Sequence, residues 1–159
     1  MKEGTKAPNF TARTADGQQI RLSQFQGQRG LVLFFYPRDG TRICTAEACA
    51  FRDSYAKFQE AGFDVIGISG DSEASHQQFA EKNSLPFPLI SDADGTLRKL
   101  FHVPKTLGLL PGRATYVIDR DGIIRRIYSA ALASDSHVTE ALEAISAGKR
   151  DPEGGGCPR

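Results

Sequence analysis

The run Leu31-Val32-Leu33-Phe34-Phe35-Tyr36, closed by Pro37, restricts the fold more than any other part of the chain. Six successive apolar residues, ended by a residue that cannot continue a sheet ladder, describe a strand buried on both faces. Such a strand needs a layer of structure above and below it. Residues 63–69 and 114–119 are two further runs of strand length. Arg120-Asp121-Gly122 marks a tight turn from the second of these into residues 123–128, so the last two strands predict a hairpin and a mixed sheet. Helical periodicity covers residues 45–60, with Ala48, Phe51, Tyr55 and Phe58 on one face. It returns over residues 72–83 and over residues 134–147, where Val138, Leu142 and Ile145 are in phase. Strands alternating with helices predict an α/β sandwich. Residues 9–14 and 19–22, on either side of Ala15-Asp16-Gly17-Gln18, predict a small hairpin added at the N-terminal end.

With 159 residues, 40% of them hydrophobic and 25% charged, the chain has the size and composition of one packed domain. We place that domain at residues 1–148. The Gly- and Pro-rich residues 149–159 cannot bury much and predict a flexible C-terminal tail. A chain of this length buries roughly 70% of its unfolded surface, so it needs no disulfide or metal staple. Twenty Lys and Arg stand against 19 Asp and Glu, a net charge of +1 that carries no electrostatic footprint for nucleic acid or an acidic membrane. The first residues hold no apolar leader core and no run reaches the length of a membrane span, from which a cytoplasmic location is expected. In that reducing compartment, thiols that pair usually do so transiently.

Three cysteines are an odd number, unlike a secreted disulfide framework. Cys44 falls where the loop after the buried strand enters a helix, and free N–H groups and the helix dipole there favour a thiolate. A small buried hydrophobe would be the ordinary reading of a lone cysteine. The position after a sheet strand, where ligands of α/β folds collect, favours the nucleophile instead. Cys49 is either helix packing or a partner thiol. On an intact helix the two Cα atoms stand about 8.6 Å apart, beyond the roughly 7 Å that a disulfide tolerates, so pairing requires the first turn to unwind. His76, His102 and His137 are scattered without ligand spacing, and neither a metal nor another cofactor is expected.

The run Pro37-x-x-x-Thr41-x-x-Cys44-Thr45-x-Glu47-x-Cys49-x-Phe51-Arg52 resembles the active-site signature of peroxiredoxins, in particular the peroxiredoxin Q or bacterioferritin comigratory protein group. Gly4-x-x-Ala7-Pro8-x-Phe10, Gly67-Ile68-Ser69-x-Asp71 and Arg113-Ala114-Thr115-Tyr116-Val117-Ile118-Asp119-x-x-Gly122 resemble that family in matching order, so the likeness spans roughly residues 3–147. It implies a thioredoxin-like α/β sandwich, a mixed central sheet flanked by helices, with an added N-terminal β-hairpin. It also implies a thiol-dependent peroxidase acting on hydrogen peroxide and organic hydroperoxides.

By this resemblance Cys44 is the peroxidatic cysteine, oxidised to a sulfenic acid. Cys49 is the resolving cysteine that closes an intramolecular disulfide, and thioredoxin or a similar dithiol protein reopens it. Thr41 orients the peroxide, Arg113 holds the thiolate and the peroxide, Glu47 holds the arginine, and Pro37 shapes and shields the loop. Each has a plainer reading: Thr41 as a helix cap, Glu47 as a first-turn acid, Arg113 as a surface residue. Relatives of this group are often monomers, and a monomer or weak dimer is expected. Two features depart from the family pattern: Arg42-Ile43 stands where relatives carry Pro-Gly, and Cys157 sits in the tail without an expected role. The rival reading is a dithiol–disulfide oxidoreductase or redox-sensing binding protein of thioredoxin fold, which would ordinarily use a Cys-x-x-Cys pair that this chain lacks.

Overall fold

The structure, a computed structural model, describes residues 1–106, 110–130 and 134–149. Its centre is a five-stranded sheet in the order β5-β4-β3-β8-β9. The strands are β3 (Gly30–Phe35), β4 (Phe63–Ser69), β5 (Leu89–Ser91), β8 (Ala114–Ile118) and β9 (Ile124–Ser129). β3, β4 and β5 run parallel, whereas β8 lies antiparallel to β3 and to β9. All six residues of β3 are buried, as the apolar run requires.

Strand alternation sorts β3 onto two faces. Leu31, Leu33 and Phe35 join Ile66, Ile68, Tyr116 and Ile118 in one core, covered by Phe10, Leu22, Leu97 and Phe101. Val32, Phe34 and Tyr36 turn the other way into a second core with Val65 and Val117. That core is roofed by α1 (Arg42–Asp53), α2 (Tyr55–Glu60), α3 (Glu73–Lys82) and α5 (Asp135–Lys149). Phe34 stacks on Phe51 of α1 with ring centroids 4.4 Å apart, which seats α1 directly behind the end of β3.

The N-terminal hairpin pairs β1 (Thr11–Arg13) with β2 (Gln19–Arg21), and Thr14 bridges to Ile90 of β5. The hairpin between β8 and β9 turns on Gly122 at φ +84, with Asp119 Oδ1 accepting from the Asp121 and Ile123 amides. Both hairpins, the mixed sheet and the α/β sandwich agree with the expectation.

Four differences have local causes. The helix expected over residues 45–60 starts three residues earlier and is divided at Ser54, whose ψ of 6° breaks the helical path. Asp53-Ser54 is a pair that favours caps over helix interiors. β5 is only three residues long and α4 (Thr96–Leu100) only five, too short for a periodic signal. The same is true of the two-residue strands β6 (Lys105–Thr106) and β7 (Leu110–Pro111), which pair antiparallel just ahead of Arg113. The expected tail, Cys157 included, lies outside the described residues apart from Lys149, which closes α5.

Candidate active site

The loop from β3 to α1 brings the chain from the sheet edge to a helix start within a few residues. Gly40 adopts φ +77, a left-handed turn that suits glycine, and Thr41 follows in extended conformation as the residue preceding α1. Cys44 is therefore the third residue of the helix, inside the first turn, and only 1% exposed. Thr41 stands at the cap position, but its hydroxyl donates to the Arg38 carbonyl at 2.9 Å instead of accepting from a helix amide. The plainer reading of Thr41 as a side-chain cap is thus not met, and Thr41 is exposed three residues before the buried Cys44. Pro37 is half-buried where the chain leaves the sheet.

One guanidinium joins the thiol of Cys44 and the carboxylate of Glu47. Arg113 Nη2 donates to Cys44 Sγ at 3.2 Å and its Nη1 donates to Glu47 Oε1 at 2.5 Å. Cys44 and Glu47 share a face because they are three residues apart on α1. Arg113 reaches them from the segment between β7 and β8. Gly112 allows this approach, since its Cα passes so close to the Pro104 carbonyl that a side-chain carbon would collide with it. All three groups are buried: Glu47 is 0% and Arg113 4% exposed.

Burial pushes the Glu47 carboxyl upward, to about 8, against the pull of Arg113. For Arg113 burial acts downward, but the charges of Glu47 and Cys44 outweigh it and hold the guanidinium above its usual value. Such a cation is permanently charged and fixed beside the sulfur, the arrangement that stabilises a thiolate and an incoming polar group together.

The site continues into α5, where sequence reasoning placed nothing. His137 is fully buried, with Nδ1 2.8 Å from Thr115 Oγ1 of β8 and 3.5 Å from Glu47 Oε2. Its Nε2 lies 3.1 Å from the Ala130 carbonyl. Burial holds the imidazole below its ordinary value; the Ala130 contact opposes this and the Arg113 charge adds to it. Only its place on the apolar face of α5 marked His137, and that signal cannot tell a packed histidine from one facing a carboxylate.

Cys49 is half-buried further along α1, and its thiol is a weak donor to Asn83 Oδ1 at 3.8 Å. Arg52 Nη1 donates to the Asn83 carbonyl at 2.8 Å, so two residues of α1 dock on the end of α3. Both Cys44 and Cys49 are free thiols on one continuous helix.

A second polar cluster supports the loop. Asp39, Asp71 and His76 place their ligand atoms within 4.8 Å of one another. Those atoms already serve hydrogen bonds: Asp39 Oδ2 meets His76 Nδ1 at 2.7 Å and accepts from Ser75, while Asp71 Oδ2 accepts from the Asp39 amide at 2.7 Å and from Ser69. His76 Nε2 meets the Ile90 carbonyl at 3.0 Å. Burial opposes ionisation of Asp39, but the bonds from His76 and Tyr36 outweigh it and hold the carboxyl below its usual value. The cluster ties the β3–α1 loop to α3 and β5.

The model of the AhpC/TSA family matches residues 4–127. Peroxiredoxin Q, chloroplastic, of Oryza sativa subsp. japonica is 49% identical over 146 residues, 91% of this chain and 67% of its own length. Its namesake in Arabidopsis thaliana is 46% identical over 148 residues, 92% of this chain and 68% of its own. Among solved structures, peroxidoxin BcpB from Mycobacterium tuberculosis superposes with a TM-score of 0.84 at 37% identity, covering 92% of this chain and 97% of its own. The bacterioferritin comigratory protein of Xanthomonas campestris, studied for alkyl peroxide reduction, superposes at 0.79 with 29% identity, over 87% of this chain and 91% of its own.

Proposed function

This chain belongs to the AhpC/TSA family and is a peroxiredoxin, a thiol-dependent peroxidase of thioredoxin fold, and on that premise we propose that Cys44 is its peroxidatic nucleophile. The observation that carries the assignment is the 3.2 Å contact between Arg113 Nη2 and Cys44 Sγ in the first turn of α1. The Cys44 thiolate attacks one oxygen of a hydroperoxide: an S–O bond forms, the O–O bond breaks, and sulfur gives up two electrons. The departing oxygen takes a proton and leaves as water or an alcohol. Arg113 stabilises negative charge on sulfur before attack and on oxygen during it, with Thr41 and Pro37 framing the approach. Hydrogen peroxide and alkyl hydroperoxides are the proposed substrates, the latter supported by the activity for which the Xanthomonas campestris relative was studied.

In the second half of the cycle the Cys49 thiol attacks the Cys44 sulfenic sulfur, forming a disulfide and releasing water. Thioredoxin or a similar dithiol protein then reduces it by exchange. Because both cysteines lie on one helix, the first turn of α1 must open for the sulfurs to meet. A reducing compartment such as the cytoplasm, where thiols pair only transiently, is the proposed location; the plant relatives carry chloroplastic in their names. Among the described residues no helix is long and apolar enough to cross a membrane. A monomer or weak dimer fits the described surface, where Met1 is the one large hydrophobic residue left exposed. The oxidoreductase alternative leaves the Arg113 contact on Cys44 without a purpose, and we do not favour it.

Mass spectrometry after one equivalent of hydrogen peroxide tests the assignment. The expected product is a Cys44–Cys49 disulfide. Cys44→Ser should abolish peroxide consumption, and Cys49→Ser should leave one turnover that ends in accumulated sulfenic acid without thioredoxin-driven cycling. Persistent turnover in Cys44→Ser would refute the assignment, and a disulfide to Cys157 would move the resolving role there.

A further inference from the structure

The ladder between β3 and β8 stops one residue short of the site. Its last partners are Phe35 and Ala114, so the next pair would set Tyr36 opposite Arg113. Pro37 follows Tyr36 and brings no N–H with which to continue. The two segments that must hold Cys44 and Arg113 in register therefore separate where the chemistry begins. A side chain from outside the sheet closes that open end. Arg98 Nη1 donates to the Gly112 carbonyl at 3.2 Å, and its Nη2 donates to the Tyr36 carbonyl at 3.4 Å. Gly112 immediately precedes Arg113, and Tyr36 immediately precedes Pro37 and the loop to Cys44. One planar fork thus joins the backbone behind the guanidinium of the site to the backbone behind its sulfur. The fork stands on a fixed base. Asp92 Oδ1 accepts from the Leu97 amide at 2.9 Å and its Oδ2 from the Arg98 amide at 3.0 Å, which starts the five-residue α4. Leu97 and Phe101 are buried in the core with Phe35, and Tyr116 donates its hydroxyl to the Phe101 carbonyl at 2.7 Å. The Arg98 guanidinium itself lies 5.9 Å from the centre of the Phe35 ring. An arginine in the last turn of a helix ordinarily serves that helix's own carbonyls or faces water. This one crosses to two carbonyls 14 and 62 positions away.

We propose that Arg98 is a positioning residue for the peroxidatic step: by holding the Gly112 and Tyr36 carbonyls on one fork it fixes the separation of the two strand ends and keeps Arg113 within reach of Cys44. The proposal rests on the reading of Cys44 as the peroxidatic residue. Arg98 bonds to backbone, so it acts through Arg113 rather than on the peroxide. The geometry leaves little slack. Arg113 Nη2 lies 3.2 Å from Cys44 Sγ, and a retreat of about 1 Å breaks that hydrogen bond and misplaces the donor that the departing oxygen needs. From the other side Arg113 is held at its own carbonyl, which accepts from the Ser129 hydroxyl of β9 at 3.2 Å. Lysine cannot replace the fork, because an ammonium is a point donor and does not span two carbonyls with the planar geometry of a guanidinium.

The test follows a single turnover of the reduced, full-length protein with hydrogen peroxide across pH, in the wild type, in Arg98→Met, which keeps an apolar stem over Phe35, and in Arg98→Lys, which keeps the charge. Urea unfolding under the same conditions checks that each variant is folded. The second-order rate constant should fall about 10- to 100-fold in both variants. Its pH profile should move to more alkaline values in both, because a more distant Arg113 holds negative charge on sulfur less well. Arg113, Glu47 and His137, the charged and titratable groups around the site from the β7–β8 segment, α1 and α5, are the same in all three proteins. A wild-type rate in Arg98→Lys would show that charge alone suffices and would overturn the proposal. So would a rate lowered equally at every pH, the mark of a merely structural role. In an Arg113→Lys background the further effect of Arg98→Met should shrink to less than about twofold, and a full fall there overturns the coupling. One measurement needs no variant. In the wild type, the Nη protons of Arg98 should give separate, slowly exchanging NMR signals, since both nitrogens donate to carbonyls; a single averaged signal overturns the proposal. Peroxide consumption that persists in Cys44→Ser would overturn the Cys44 assignment and this inference with it, whereas wild-type kinetics in the Arg98 variants overturn this inference alone.

Discussion

Glu47 and His137 lie on opposite sides of the proton balance between folded and unfolded chain. The Glu47 carboxyl, raised by burial from 4.5 to about 8, binds more protons folded than unfolded within that window. Stability from this group is therefore complete below the unfolded value and declines as pH climbs toward 8. His137, lowered by burial, binds fewer protons folded than unfolded, so its contribution is complete above 6.5 and is lost as pH falls below that value. Urea unfolding of the reduced protein across pH separates the two. Glu47→Gln should remove a decline of up to about 1.4 kcal/mol per pH unit between pH 4.5 and about 8, and His137→Gln should remove the loss below pH 6.5. Unchanged slopes in both variants would show that neither group titrates differently in the folded state. Legibility at this scale was uneven. The helix-start position of Cys44 can be read from a strand, a proline and a following helical pattern. The contact of Glu47 with Arg113 was legible only through family likeness, and the place of His137 beside that carboxylate not at all, because a histidine in helical phase with Val138 and Leu142 looks like core.

At the scale of the element, α1 is anchored unequally. Its second half is held by Phe51 against Phe34 and by Cys49 and Arg52 against Asn83, while its first turn has no side-chain cap from Thr41. Uncapped first turns lack a hydrogen bond worth about 1 kcal/mol, so this end opens more readily than the docked one. Upon oxidation by one equivalent of hydrogen peroxide, amide exchange should therefore accelerate at residues 42–46 and stay slow at residues 50–53. Equal protection of both halves before and after oxidation would rule out a disulfide closed by opening of the first turn. The break at Ser54 belongs to the same scale. Periodicity alone carries Ala48, Phe51, Tyr55 and Phe58 through as one helix, and the division into α1 and α2 falls at Asp53-Ser54, a pair that favours caps over helix interiors. Asp39 shows the reverse case: nothing around it in the sequence announces a partner, yet its bonds to His76 and Asp71 anchor the loop that delivers Cys44.

Across the whole molecule, β3 is the common wall of two cores, and the site sits against the helical one. Phe34 is fully buried between Phe51 at 4.4 Å and Phe87 at 5.6 Å, so Phe34→Ala opens a cavity behind α1 rather than at the surface. A loss of about 3 to 5 kcal/mol is expected in urea unfolding. A loss below about 1 kcal/mol would mean that the helical layer collapses freely onto the sheet, against the close packing described. The sequence by itself determined the central strand, the mixed sheet with its two hairpins, the main helices and the placing of Cys44 at a helix start. Each of these is written in residues adjacent along the chain, through periods of two and 3.6, turn glycines and prolines. Tertiary structure alone decided that Arg113 reaches Cys44 and Glu47 from 69 and 66 positions away and that His137 closes the far side of the carboxylate. It also decided that Asn83 holds Cys49. Contacts of that range depend on which faces of the sheet the helices cover and on a few close backbone approaches such as Gly112 on Pro104, and no local pattern encodes them.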